Sequence, residues 1–231
     1  MTVSKKGNSE KIKGKDSGDF GQLFPGELKA LEQSKTQITY LKGENIFKQG
    51  AFAPYVIYVV EGLVKVYLQT GYEKQINISL AQSGDFLAFS SIFGENIHTY
   101  STQAIKDSVI CMIEKESLKK ILLQNPEFAL QITSKNYNNE RHLFEIIKNV
   151  SYKQMRGKLA SSLLYLSQDE FIIEDIFKHL TRQDIADFAS ISTESAIKFL
   201  KEFEKEKILK LAGKNIEIID TEKLERISKN G

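Results

Sequence analysis

The chain is 231 residues long and carries 32 basic against 30 acidic side chains, a near balance that excludes a histone-like polycation, so any contact with nucleic acid must come from local arrangement of charge. A single cysteine, Cys111, excludes an internal disulfide, a CxxC zinc site and a four-cysteine iron–sulfur cluster, and suits a reducing cytoplasm. The N-terminus lacks the apolar core of a signal peptide, and the longest apolar run, Tyr55–Val60, is far short of the ~18 residues of a membrane span, so no membrane association is expected.

Residues 1–19 are rich in Lys, Gly, Ser and Asn and read as a mobile tail. A short helix is expected near Pro25. From Gln37 to about Glu114 the texture changes to short β-branched and aromatic runs: Ile38–Leu41, Ile46–Phe47, Val56–Val60, Val64–Leu68, Ile76–Leu80, Thr99–Ile105 and Val109–Ile113. Gly43, Gly50, Gly62, Gly71, Gly84 and Gly94 punctuate them, which argues a β-sandwich or barrel of jelly-roll type over 20–125. Val64-Lys65-Val66-Tyr67-Leu68 alternates as a half-buried strand does.

A helical stretch follows, Glu116–Leu123 and then Pro126–Val150. In the second piece Ala129, Ile132, Asn136, Asn139, Leu143, Ile146 and Val150 step by three and four, the period of a two-stranded coiled coil. They are the expected dimer seam. Phe128, Tyr137, Phe144 and Ile147 form a neighbouring stripe expected to pack on the β domain.

Past a boundary near Val150–Ser151, a helix to Leu166 turns Met155, Leu159, Leu163 and Leu166 inward, and a loop at Gln168–Asp175 follows. Thr181-x-x-Asp184 is a capping-box pattern that starts the next helix, with Ile185, Ala186 and Ala189 on its inner face. Ser190-Ile191-Ser192 breaks the pattern, and Ser192 is placed to cap a further helix with Ala196, Ile197, Leu200 and Phe203 inside and Glu194, Lys198, Lys201 and Lys205 outside. Short polar and charged side chains on the N-terminal turn of such a helix suit a major groove. Ile208–Leu211 and Ile216–Ile219 flank a Gly213 turn as a hairpin, and Thr221 can cap a last helix. Helix-turn-helix plus hairpin is a winged helix. The plain alternative is that Glu194 and Lys198 form only a solvated i,i+4 pair.

The order of a Gly-punctuated β-roll, a long seam helix and a C-terminal winged helix resembles the Crp/Fnr family of bacterial transcription regulators over roughly Phe20 to Ser228. The most specific segments are Gly84-Asp85-Phe86, Thr102–Glu114, Leu180–Ala186 and Ser192–Leu200. The fold class is therefore α+β: an N-terminal jelly-roll β-barrel, a long dimerisation helix over 126–150 and a winged helix-turn-helix over 151–231. The resemblance implies a homodimer that binds palindromic double-stranded DNA and recruits or blocks RNA polymerase. It implies base contacts from Thr193, Glu194 and Lys198, where Lys198 replaces the family's Arg without its fork. Thr181, Arg182, Ser192, Ser195, Lys201 and Lys214 suit phosphates.

The family's effector pocket maps onto Phe86, Ala88, Phe89, His98 and Thr99. Cyclic-AMP-binding members hold the phosphate with Gly-Glu and Arg-Ser pairs; here Ala88-Phe89 and His98-Thr99 stand in their place, and no Arg precedes Arg141. Cyclic AMP and an iron–sulfur cluster are thus not expected, no cofactor or metal is assigned, and the small-molecule effector is unidentified. A haem on His98 or Met112 is the remaining ligand idea, and Cys111 reads as a buried small hydrophobe. Two rival functions are a module acting through protein contacts alone and a cupin-like metal enzyme. The enzyme needs converging histidines, and His98, His142 and His179 lie in separate segments.

Overall fold

The computed structural model describes residues 33–231 except 73, 95, 173 and 174, together with 23, 26, 29 and 31, and excludes the side chains of 137–141, 170 and 172. The expected tail lies outside the described residues; of the helix expected near Pro25, Gly26, Lys29, Leu31 and Gln33 are described and helical.

Among the described residues eight strands build the N-terminal part: β1 (Lys35–Tyr40), β2 (Asn45–Phe47), β3 (Tyr55–Glu61), β4 (Leu63–Gly71), β5 (Lys74–Gln82), β6 (Phe86–Leu87), β7 (Ser101–Ala104) and β8 (Ser108–Glu114). They form two antiparallel sheets in the orders β1-β8-β3-β6 and β2-β7-β4-β5. Ile57, Val59 and Ile110 of the first sheet pack against Val64, Val66 and Ala81 of the second. Strand β6 escaped the sequence reading because two residues carry no period. Between β3 and β4 only glycine fits at Gly62: its φ is +110°, and a Cβ there would lie 2.2 Å from Ser108 Oγ. That hydroxyl accepts from Leu63 N at 3.1 Å.

The outer face of the first sheet is covered by α1 (Lys115–Gln124) and the start of α2 (Pro126–Tyr152). Asn125 caps α2 by accepting from Phe128 N at 3.0 Å, and Pro126 takes the first-turn position where its missing N–H costs nothing. Phe128 and Ile132 then enter one core with Val56, Tyr58 and Ile113 of the roll. Each such side chain contributes about 1.5–3 kcal/mol by leaving water.

The residues of the expected seam meet different surroundings along α2. Ile132 is buried in its own roll and Asn136 donates to its own Ile132 carbonyl at 2.9 Å. Ile146 and Val150 border a small cavity shared with Asn77, Tyr165 and Phe188. Leu143 is exposed, and the Asn139 side chain lies outside the described residues. The stripe expected to pack on the β domain divides: Phe128 does so, the Tyr137 side chain lies outside the described residues, and Phe144 and Ile147 are 64% and 60% exposed. Leu130 joins them at 71%. A helix rotates 3.6 residues per turn against the 3.5 of a strict heptad, so residues that share a register at one end face a different neighbour at the other.

The chain runs extended at Lys153 and Gln154 and enters α3 (Met155–Leu166). Leu159, Leu163 and Leu166 point inward as expected, but Met155, in the first turn, is exposed. The expected loop at Gln168–Asp175 holds a helical turn, α4 (Asp169–Ile172), and is followed by α5 (Ile176–His179). Then come α6 (Arg182–Ala189), α7 (Thr193–Lys205), the hairpin β9 (Leu209–Ala212) and β10 (Asn215–Ile218), and α8 (Thr221–Asn230). The hairpin turns at Gly213, φ +61°, a backbone state that glycine adopts at little cost.

These helices close on the outer face of the second sheet. Leu63, Leu80 and Ile105 of the roll share a core with Leu159, Ile185, Leu200 and Phe203. His142 of α2 bridges the junction: its ring stacks on Tyr165 at 4.1 Å and its Nε2 lies 2.9 Å from the Ile78 carbonyl. Tyr165 Oη in turn accepts from Leu80 N at 3.2 Å.

Candidate nucleic-acid interface

The capping box expected at Thr181 is complete. Thr181 Oγ1 accepts from Asp184 N at 3.0 Å, while Asp184 Oδ2 accepts from Thr181 N at 2.8 Å. Asp184 does a second job that the sequence reading missed. Its other carboxylate oxygen meets Lys65 Nζ at 2.5 Å, and its carbonyl accepts from Asn77 Nδ2 at 3.0 Å. Burial pushes Asp184 up, but the Lys65 ammonium and the Thr181 hydrogen bonds outweigh it and hold the carboxyl below its ordinary value.

Lys65 is only 4% exposed because α6 lies over the outward face of β4. One turn along α6, Asp187 accepts from Gln75 Nε2 of the roll at 2.7 Å and from Gln183 Nε2 at 2.6 Å. Gln183 Oε1 accepts from Thr193 Oγ1 at the head of α7. Burial raises the Asp187 carboxyl against those amide donors. A continuous polar chain therefore joins the β-roll, α6 and the first residue of α7. The signal for it was the pair of acids at 184 and 187, three apart, opposite a lysine inside an apolar strand.

Between the helices Ser190 sits at φ 51°, a left-handed state costly for a residue with a Cβ. Its hydroxyl is buried with no hydrogen-bond partner. Ile191 packs beneath the turn, and Ser192 caps α7, accepting from Ser195 N at 3.2 Å and donating to Ser195 Oγ at 3.1 Å.

Helix α7 is held from below by Ala196, Leu200 and Phe203, all buried. Ile197, assigned to that inner face, is instead 38% exposed, and Phe199 packs against the core. Glu194, Lys198, Lys201 and Lys205 project outward as expected. Glu194 is fully exposed; hydrogen bonds from its own N–H and from Ser192 hold its carboxyl below the ordinary value, so it is an acceptor only. Thr193 is half-buried and engaged by Gln183.

Of the residues suited to phosphate, Arg182 and Lys214 are brought together. The guanidinium donates to the Gly213 and Lys214 carbonyls at 2.8 and 3.3 Å, fastening the wing to α6. Lys214 and Lys201 extend into solvent, Thr181 and Ser192 are exposed caps, and Ser195 is half-buried.

The expected effector residues spread over two packed clusters of the roll. Phe86 and Phe89 belong to the roll core under α1, with Tyr58 4.9 Å from the Phe86 ring and Phe93 6.0 Å from the Phe89 ring. Ala88 donates its N–H to Tyr100 Oη at 2.7 Å, and Tyr100 and His98 both contact the Phe47 ring, at 5.4 and 3.9 Å. Thr99 faces solvent. His98, lowered by burial, and its unpartnered Nδ1 lie beside Phe47. Among the described residues no three His, Cys, Asp or Glu side chains stand close enough to hold a metal ion, and no helix is long and apolar enough to cross a membrane.

Known proteins match both halves of this arrangement. Residues 37–125 match the cyclic nucleotide-binding domain, and residues 157–227 match the Crp-like helix-turn-helix domain. The fumarate and nitrate reduction regulatory protein of Vibrio cholerae is 28% identical over 203 residues, covering 86% of this chain and 81% of that protein. The CRP-like cAMP-activated global transcriptional regulator of Mycobacterium tuberculosis is 22% identical over 214 residues, covering 91% and 96%. A solved Crp/Fnr-family regulator from Eubacterium rectale shares the fold, with TM-score 0.72 over 91% of this chain and 97% of that one at 20% identity. The chain belongs to the Crp/Fnr family of DNA-binding transcription regulators.

Proposed function

We propose that the chain binds a two-fold symmetric operator as a homodimer and controls RNA polymerase there in response to a small-molecule effector. Thr193, Glu194 and Lys198 of α7 read base edges, and Thr181, Arg182, Ser192, Ser195, Lys201 and Lys214 hold phosphates. The observation that carries this reading is that α7 is anchored by Ala196, Leu200 and Phe203 while its Glu194 edge stands fully in solvent. A helix so mounted can enter a groove without unfolding anything.

The second protomer docks on the exposed apolar face of α2, where Leu130, Phe144 and Ile147 recur at spacings of fourteen and three. This face replaces the seam expected through Ile132. Phe144→Asp should give a folded monomer by sedimentation, whereas Ile132→Asp should unfold the roll. A dimer that survives Phe144→Asp contradicts the placement.

The effector differs from the cyclic AMP named for the Mycobacterium relative. A buried cyclic phosphate needs charge-assisted donors. The roll's buried lysine, Lys65, is already paired with Asp184, and aromatic rings surround Ala88 and Phe89.

The test is a mobility-shift titration with duplexes selected from genomic fragments, at several salt concentrations and with and without small molecules from cell extract. Selected duplexes should bind far more tightly than random ones, and log K should fall linearly with log salt. Equal affinity for selected and random duplexes under every condition contradicts the proposal.

A further inference from the structure

The geometry points to Ile197 as a reader of a thymine C5-methyl group, a contact that sets operator preference beside the base pair read by Glu194. This rests on α7 being the helix that enters the groove.

The exposed positions of α7 are Glu194, Ile197, Lys198, Lys201, Glu204 and Lys205. Five are charged and one is purely apolar. The neighbours of Ile197 on either side in sequence go elsewhere: Ala196 is buried, Phe199 packs on the core and Lys198 extends outward. At about 100° per residue, Ile197 lies roughly 60° around the helix from Glu194 and about 40° from Lys201. It therefore shares the row Thr193–Ile197–Lys201, with Cβ neighbours about 5–6 Å apart. The branched side chain is not part of the apolar core and has no polar atom to satisfy.

In the major groove each base pair presents donors and acceptors, and thymine alone adds a methyl. An aliphatic side chain on the groove-facing row can gain nothing from donors or acceptors, but it can remove that methyl from water. Three residues of helix advance about 4.5 Å, close to the ~3.4 Å between successive bases, so Ile197 and Glu194 address adjacent steps. Glu194 accepts from a cytosine amino group, and Ile197 covers the methyl next to it.

The experiment uses the duplex enriched by selection and replaces its thymines one position at a time, in both half-sites, by deoxyuridine, which removes only the methyl. One position should weaken binding about fourfold per methyl, the effect of exposing one methyl-sized group. Ile197→Ala should bind the thymine and uracil duplexes equally, and Ile197→Val should keep part of the difference. If the selected duplex binds tightly but no thymine-to-uracil change matters, or if Ile197→Ala keeps the discrimination, the inference is overturned while the groove-binding reading stands. If no duplex is preferred over random sequence, both fall together.

Discussion

Helices α6 and α7 are neighbours of eight and thirteen residues, each opened by a hydroxyl cap, yet they face opposite demands. Every residue of α6 from Asp184 to Ala189 is buried, and both of its carboxylates are held by side chains of the β-roll. Helix α7 buries three residues and leaves a charged edge in water. The difference teaches that a helix-turn-helix divides its labour. One helix fastens the head to the body through a buried polar interface, and the other is mounted on it to make contacts outside the protein. Substitutions in α6 and its roll partners should therefore change stability, and those on the outer edge of α7 should change binding.

The largest expected effect is on the fastening side. Lys65→Ala leaves Asp184 buried without its cation and should cost about 3–5 kcal/mol in a urea titration. Replacing both partners, Lys65→Met with Asp184→Asn, keeps an acceptor for the Thr181 cap and should recover most of that loss. A single variant as stable as the parent breaks the comparison.

On the reading side, Glu194→Ala should remove about 1–3 kcal/mol of discrimination at one base pair per half-site. Lys201→Ala should instead weaken all duplexes evenly and lower the salt slope by about one per protomer. Both should leave stability within about 0.5 kcal/mol. Equal losses of the two variants on selected and random duplexes contradict the division between base and phosphate contacts.

Acid sharpens the contrast within α6. Asp184 is held below its ordinary value of 3.8, so its contribution is present above that pH and is lost as pH falls toward the lower folded value. Asp187 is raised, so its contribution is present below 3.8 and is lost as pH rises through the folded value. Asp184→Asn should flatten the acid loss of stability, and Asp187→Asn should steepen it. Identical pH slopes for the two variants rule this out.

The smallest effect lies in the turn that joins the helices. Ser190→Gly relieves a left-handed backbone and removes a buried unpartnered hydroxyl, and should raise stability by about 0.5–1 kcal/mol. A lower melting temperature contradicts that reading of the turn.

Local chemistry was legible from the residues. Thr181 with Asp184, Ser192, Pro126 and Gly213 each mark an element end through a bond or a backbone state that only their own atoms decide. What covers a face was not legible. Alternation assigns Lys65 to the opposite side of β4 from Val64 and Val66, but it does not say that α6 lies on that side. The three-four steps along α2 group Ile132 with Leu143, yet the roll takes Ile132 and leaves Leu143 in water. In α7, Ile197 and Phe199 are both apolar and near the inner edge; the winged-helix core takes Phe199. In each case periodicity names the residues that share a face, and long-range packing chooses the neighbour.

Enrichment from a random duplex library, run in parallel with the parent chain and Glu194→Ala, tests most directly whether the exposed edge of α7 reads DNA. The account predicts a two-fold symmetric motif for the parent and loss of preference at one position in each half-site for the variant. An unchanged motif in the variant, or no motif for the parent, would contradict it.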